Sequence, residues 1–472
     1  MPVSPARAGA FEILLRIETT DAYAPELLHS SHFATFSAAD HGLLTELVMG
    51  VLRWRSVLDR EVAEFSAQSL ARFDPEVLTA LRLGTYQLLF LDRIPRHAAI
   101  NESVELVKSA RKRSAAGMVN AVLRKIHRAD SEPDVCSAHP QWLVERWTRI
   151  YGADVARRVC NYGQSTPKPA VRVNSYESIV EIAPPGCPPG CEPRSLIAGQ
   201  LSELRSSEQP GAAFSTWSFD ELRAEGIQLA RGQLLAKAFV VVAGGVAATK
   251  LFRERRLSIQ DEASQLVALL VGRGRSILDC CAAPGGKTRI IAERNPEAMV
   301  IAMDLHRHRA TLLKTLAPAH NVQVITGDAR QMPFRAGFDR VLVDAPCSGT
   351  GTLARNPEIK WRLRAEDLLR LQEYQTQILL AAMKQVAPGG RIVYSTCSLE
   401  PEENQEVLEK ALAADSSFRV IDCRVELQEL SRTGELRWQV RMIDELMSGP
   451  YLRTIPGVHP CDGFFAAILE KR

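Results

Sequence analysis

The chain has 472 residues, 46% hydrophobic and 24% charged, with 58 Lys+Arg against 55 Asp+Glu for a net charge of +3. It is too long for one ordinary domain and too apolar for a disordered, collagen-like or small disulfide-stapled protein. The charge balance leaves only a local surface for any nucleic acid, and no apolar run approaches the roughly 18–20 residues of a membrane span.

The start, MPVSPARAGAFEILLRIE, has no signal-like apolar region, so a soluble cytoplasmic protein is expected. Residues 1–135 read as a helical bundle. Leu44, Leu47, Val48 and Val51 recur at helical spacing, as do Leu78, Leu81 and Thr85–Leu88, and Val119, Val122, Leu123 and Ile126. Between Lys108 and Arg128 stand seven basic residues and no acid: Lys108, Arg111, Lys112, Arg113, Arg124, Lys125 and Arg128. Such a run is either a solvated helix face or a phosphate-contacting patch. Residues 136–255 form a linker and small α/β subdomain. Two helical stretches and the extended KPAVRVNSY come first. The stretch 183–193, APPGCPPGCEP, is too rich in proline for helix or central strand, so a loop is expected. Cys187 and Cys191 within it lack the second Cys/His pair that a zinc site needs, so no metal is expected.

From 256 to 472 strands alternate with helical patterns. The strand candidates are 276–280, 298–304, 322–328, 338–346 and 389–397, with a last one at 463–470 expected antiparallel at the sheet edge. This alternation predicts a mostly parallel, doubly wound α/β sheet.

Three constellations sit where those strands end. The first is the turn Cys281, Ala282, Ala283, Pro284, Gly285, Gly286 and Lys287, which matches neither a dinucleotide fingerprint nor a triphosphate loop. Asp279, Asp304, Asp328 and Asp344 close four consecutive strands, so they line one crevice. An acid at the end of the second strand typically bonds ribose hydroxyls. The second constellation is Asp344-Ala345-Pro346-Cys347, running on to Gly351. The third is Tyr394-Ser395-Thr396-Cys397, followed by Glu400, Glu402, Glu403 and Asn404. Each of the last two puts a cysteine at a strand end on the ligand side. Cys280 reads as core, and Cys136, Cys160, Cys423 and Cys461 carry no constellation.

LDCCAAPGGKT, DAPCSGTGTLARNPEIKW and YSTCSLEPEEN resemble the hallmark motifs of the Sun/Fmu (RsmB) family of RNA 5-methylcytosine methyltransferases. The closing CDGFFAAIL is similar to that family's GDGFF strand, with Cys461 departing at its first position. The front end, with IPRHAAINESVELVKSA and GMVNAVLRKI, resembles the NusB-like RNA-binding domain, a combination that marks the 16S ribosomal RNA cytosine methylase. The resemblance implies a Rossmann-like methyltransferase domain and an S-adenosylmethionine cofactor. The Cys281–Lys287 turn, Asp304, Asp328 and Asp344 would bind that cofactor. It implies that Cys397 attacks carbon 6 of cytosine, that Cys347 assists release, and that Asp344 holds or protonates N3 of the base. Lys287 is expected near the pocket, either orienting Asp344 or favouring a thiolate; both alternatives stay open. The expected partner is 16S ribosomal RNA, with no membrane and no metal, and the expected state is a monomer. Methylation of transfer RNA or another ribosomal site, and a non-catalytic RNA-binding assembly factor, are the alternatives.

Overall fold

The computed structural model describes residues 3–33, 35–128, 133–174, 221–335 and 337–472. Its first part is helical: α1 (Pro5–Thr19), α2 (Ala38–Phe65), α3 (Pro75–Phe90), α4 (Arg96–Ser109) and α5 (Ala116–Lys125). Proline opens α1 and α3, where its missing N–H costs no helical bond. Ser37 caps α2 by accepting the Asp40 N–H at 3.1 Å. Of the residues expected as apolar stripes, Leu44, Leu47, Val48, Val51, Leu81, Val119, Val122, Leu123 and Ile126 are buried in one cluster, with Leu78 and Leu88 partly buried against it.

Two further helices, α6 (Gln141–Tyr151) and α7 (Ala153–Gln164), lead into a small antiparallel sheet. Its strands are β1 (Ala170–Val173), β2 (Gln228–Arg231), β3 (Ala238–Ala243) and β4 (Leu257–Ile259), in the order β2-β3-β1-β4. This sheet takes in β4, beyond the 255/256 boundary expected from sequence. The loop at 183–193, with Cys187 and Cys191, lies outside the described residues.

The larger sheet holds β5 (Ser276–Asp279), β6 (Met299–Asp304), β7 (Val322–Thr326), β8 (Phe338–Asp344) and β9 (Val386–Thr396). These five are parallel in the order β7-β6-β5-β8-β9. The order reverses between β5 and β8, which opens a crevice at their carboxyl ends. Side chains alternate between two cores. Ile277, Val300, Leu342 and Val393 face the helices Glu262–Leu270, Gly286–Arg294 and Cys423–Arg432. Leu278, Met303, Val341 and Ile392 face Ala365–Met383 and Gln405–Ala414. The sheet is therefore covered on both sides, as its apolar strands require.

The last strand corrects an expectation. The strand β13 (Phe464–Lys471) is antiparallel to β9, but it is not at the edge. Its other side pairs with β12 (Tyr451–Thr454) and with β10 (Phe418–Ile421), and β11 (Met447–Ser448) lies beyond β12. Phe465–Leu469 is buried at every position, the mark of an interior strand rather than a half-solvated edge. Its partners have four residues or fewer each, too short to stand out in the sequence. Asp328 likewise falls two residues beyond β7 rather than closing it.

The segment after the Pro-Cys motif joins the two halves of the chain. Lys360 is fully buried, and its Nζ donates to the Arg53 and Ala138 carbonyls at 2.8 and 2.7 Å. Trp361 Nε1 donates to the Leu52 carbonyl at 2.6 Å, and Arg362 Nη2 to the Ile17 and Ala22 carbonyls at 2.9 and 2.7 Å. No helix among the described residues is long and apolar enough to cross a membrane.

Lys360→Met keeps the apolar stem and takes the donor from the Ala138 carbonyl, while the Arg53 carbonyl keeps Gln164 Nε2 at 3.1 Å. At roughly 1–3 kcal/mol per unsatisfied buried group, urea unfolding of the full chain is expected to show a loss of about 1–3 kcal/mol. Unchanged or raised stability would mean that apolar packing alone holds the seam.

Candidate active site

The turn after β5 is built by two glycines. Gly285 has φ +114°, and a Cβ there would lie 2.7 Å from Leu313 Cδ1; a Cβ on Gly286 would lie 3.1 Å from the Gln260 side chain. The backbone of Cys281–Lys287 is thereby pressed between those neighbours, and a helix starts at Gly286 with its first N–H groups free of helical partners. Cys281 sits within the turn, and burial, then Asp279, Asp344 and Asp304, push its thiol well above the ordinary range.

The four strand-end acids have different surroundings. Asp279 is fully buried and accepts from Thr288 Oγ1 at 2.7 Å, while its Oδ1 has no partner. Burial pushes its carboxyl up to about 7, against the lowering effect of that hydrogen bond. Asp304 is also buried; it accepts the Ala283 N–H at 3.3 Å and the His306 N–H at 3.1 Å, with Arg309 at 3.8 Å. Asp328 is more open and is gripped by Arg330 Nη2 at 2.6 Å, whose hydrogen bonds hold it below the usual carboxylate range. Asp344 faces the cysteines. Its Oδ2 takes Lys287 Nζ at 2.8 Å and its Oδ1 takes Ser395 Oγ at 2.7 Å.

The crevice suits a ligand rich in donors. It offers an orphaned buried carboxylate oxygen at Asp279, a second buried carboxylate at Asp304 and a close backbone approach at Gly285–Gly286. An S-adenosylmethionine with its ribose hydroxyls and amino group fits this donor set.

The two cysteines, 50 residues apart in sequence, come together. Cys347 Sγ lies 3.3 Å from Cys397 Sγ and 3.3 Å from the Cys397 N–H. The hydrogen bond to Cys397, then burial, holds the Cys347 thiol well above the ordinary range. Burial works against the Lys287 charge, but Asp344 and, behind it, Cys397 outweigh that and raise it. Its ammonium also sits 5.1 Å from the Phe464 ring centroid. Lys287 thus binds Asp344 directly. Close backbone contact fixes the Cys347 loop: Gly351 N–H donates to the Cys397 carbonyl at 2.9 Å, and a Cβ on Gly351 would lie 2.2 Å from the Gly463 carbonyl oxygen.

The acids after Cys397 each have partners of their own, and Glu403 also helps raise the Cys347 thiol. Glu400 accepts Trp147 Nε1 at 3.0 Å and, with Glu402, pairs with Arg146. Glu403 is buried and accepts the Ser348 N–H at 2.7 Å, the Ser348 and Ser398 hydroxyls, and Gln375 Nε2 at 2.8 Å. Burial raises its carboxyl despite these bonds. Sequence reasoning missed Ser395, Phe464 and the role of Glu403. The one available signal for Ser395 was its place at the end of β9, in register with Asp344.

The basic stretch is split. Lys108 pairs with Glu105 at 2.7 Å, Lys112 with Asp74 at 2.9 Å, and Arg128 with Asp92. Arg111, Arg113, Arg124 and Lys125 are exposed and have no ion pair among the described residues. No cluster of three or more metal-binding side chains occurs among the described residues.

Residues 267–470 match the model of the 16S rRNA methyltransferase RsmB/F family, and residues 4–128 match that of the NusB family. The chain is 33% identical over 497 residues to the probable ribosomal RNA small subunit methyltransferase B of Bacillus subtilis, covering 100% of both. It is 32% identical over 452 residues to ribosomal RNA small subunit methyltransferase B of Escherichia coli, covering 92% of each. In fold it resembles the crystal structure of PH0851, with a TM-score of 0.74 at 22% identity over 100% of both chains. NSun6 from Pyrococcus horikoshii follows at TM-score 0.52 and 17% identity, covering 70% of this chain and 98% of that one.

Asp279 gives a pH dependence. Its folded pKa of about 7 lies above the unfolded value of about 3.9, so its protonated form is the one the fold favours. The stability it contributes is full below about pH 4 and is lost as pH rises through about 7. In ligand-free protein, Asp279→Asn is expected to flatten the fall in denaturant-derived stability between pH 5 and 8. An unaltered slope would place the titration elsewhere.

Proposed function

Since the chain belongs to the RsmB/F family of 16S rRNA methyltransferases, we propose that it methylates carbon 5 of a cytosine in 16S rRNA through a covalent bond from Cys397 to that base. S-adenosylmethionine is the cofactor, and when bound it supplies the electrophilic methyl group. The Cys281–Lys287 turn, Asp279 and Asp304 would hold it, and Asp328, past the end of β7, would bound the same crevice.

Carbon 5 of cytosine is a weak nucleophile. Thiolate addition at carbon 6 turns the ring into an enamine-like nucleophile and makes carbon 5 reactive. Asp344, held between Lys287 and Ser395, would in its protonated form donate to N3, or pass its proton to it, and so draw electron density from carbon 6. After carbon 5 has gained its methyl group, its proton leaves to a base and the sulfur–carbon 6 bond breaks. Cys347 stands where it can move a proton in that release step. The observation that carries this reading is the 3.3 Å approach of the two sulfurs beside the Lys287–Asp344 pair. The target base must leave its stack to reach them. The helical domain would serve as an RNA-binding module through its unpaired basic residues.

Cys397→Ala is expected to abolish both methylation and protein–RNA crosslinking. Cys347→Ala is expected to accumulate a complex that survives denaturing electrophoresis, since losing a positioned proton-transfer group typically costs ~10²–10⁴ in rate. The reverse pattern would invert the two roles.

Replacing Arg111, Arg113, Arg124 and Lys125 with Gln is expected to weaken binding of a 16S rRNA transcript. The salt slope should fall by about 0.7–0.9 for each phosphate that is no longer neutralised. An unchanged slope would make this stretch a solvated helix face.

A further inference from the structure

The seam between the helical domain and the methyltransferase domain opens into a cleft. The cleft has a volume of about 430 Å³ and is lined in part by Asp21, Arg55, Glu358, Trp361, Arg362 and Arg364. Tyr23, from the helical side, stands next to it and is 42% exposed. The loop that carries Tyr23 is fixed on both sides. Arg362 Nη2 donates to the Thr20 and Ala22 carbonyls at 3.0 and 2.7 Å, and Glu358 Oε1 accepts the Ala24 N–H at 2.8 Å.

The guanidinium carbon of Arg362 lies 5.9 Å from the Tyr23 ring centroid. Its guanidinium meets backbone carbonyls and has no ion pair among the described residues. Glu358 is 1% exposed, and its second oxygen, Oε2, has no partner although the residue lines the cleft. The next residue links this corner to the chemistry. A Cβ on Gly349 would lie 2.9 Å from Ile359 Cδ1 and 4.0 Å from Cys397 Sγ. Burial, followed by Cys397 and Cys347, raises the Tyr23 phenol, which places the phenol in the electrostatic field of both sulfurs.

We infer that Tyr23 is a positioning residue for the RNA strand, its ring stacking on an unpaired base that flanks the target cytosine at the mouth of the thiol site. Glu358 Oε2 accepts a hydrogen bond from an amino or hydroxyl group of that strand, and Arg362 faces its phosphate. The inference rests on the reading of Cys397 as the attacking group. An extruded base leaves a neighbour unstacked, and an aromatic face replaces the lost stacking whatever the neighbour's identity. An unpaired guanidinium beside an exposed ring is the usual composition of a single-strand groove. The helical domain then contributes a side chain to the active site as well as general RNA affinity.

The test compares wild type, Tyr23→Phe and Tyr23→Ala as full-length proteins. The readouts are methyl transfer from labelled S-adenosylmethionine to a 16S rRNA transcript, filter binding of that transcript without cofactor, and S-adenosylmethionine affinity by calorimetry. Tyr23→Phe is expected to keep wild-type kcat/KM. Tyr23→Ala should lose roughly 5- to 100-fold in kcat/KM and weaken transcript binding, with cofactor affinity unchanged in both. Equal kcat/KM and binding in Tyr23→Ala would overturn the inference. So would an equal loss in both variants accompanied by loss of cofactor affinity, which would mark a packing role. An absence of covalent complex from Cys347→Ala with Tyr23 intact would instead defeat the Cys397 reading, while the binding comparison still decides Tyr23.

Discussion

Everything at the thiol site depends on one buried carboxylate. Glu403 ties Ser348, the residue after Cys347, to Ser398, the residue after Cys397, and Gln375 braces it from the helix behind. The two strands pair up to Asp344 and Ser395, and Glu403 holds together the loops that run on past that last pair. A desolvated acid saturated with donors is rigid, because breaking any one bond would strand a charge or a polar group. The 3.3 Å spacing of the sulfurs is thus set by neighbours of the cysteines rather than by the cysteines themselves. Asp344 is likewise held from both sides, by an ammonium and a hydroxyl, so that its orientation is settled before any base arrives.

The second constraint is continuity of chain. The loop that carries Cys347 runs directly into the segment that docks on the helical domain. Arg355 pairs with Asp261 and Asp462, Glu358 meets Ala24, and Lys360, Trp361 and Arg362 reach the α1 and α2 regions. Leu353 and Ile359 complete an apolar cluster with Trp147 and Leu143 from the middle helices. The stretch 347–362 therefore connects the Cys347 sulfur to all three parts of the molecule, so the placement of the helical domain and the shape of the thiol site are mechanically linked.

Much of this could be read from the sequence where the physics is local. Apolar runs ending in Asp marked the parallel strands and their ligand side, and the small-residue turn announced a close approach. Pairings across hundreds of residues stayed hidden. Glu400 and Glu402 looked like charges for the thiols, but their partners, Arg146 and Trp147, stand some 250 positions earlier. Two members of the basic run are paired with Asp74 and Asp92, which lie outside the run itself. The final strand was legible as a strand, but its position in the sheet was not, because short partners such as Phe418–Ile421 carry too few residues for a period-2 signal.

The docking at the seam has a particular chemistry. Lys360, Trp361 and Arg362 all donate to main-chain oxygens, those of residues 17, 20, 22, 52, 53 and 138. A carbonyl oxygen is present whatever side chain its residue bears. Through these bonds the methyltransferase domain follows the path of the helical domain's backbone, and the side chains of Arg53, on the Ala354 carbonyl at 3.2 Å, and Tyr23, against Arg362, add to them. Substitutions on the acceptor side that preserve the helices leave every acceptor in place, whereas one change among the three donors removes bonds that nothing on the other side can replace. The two surfaces are therefore free to diverge at unequal rates, with the tolerance lying on the helical side.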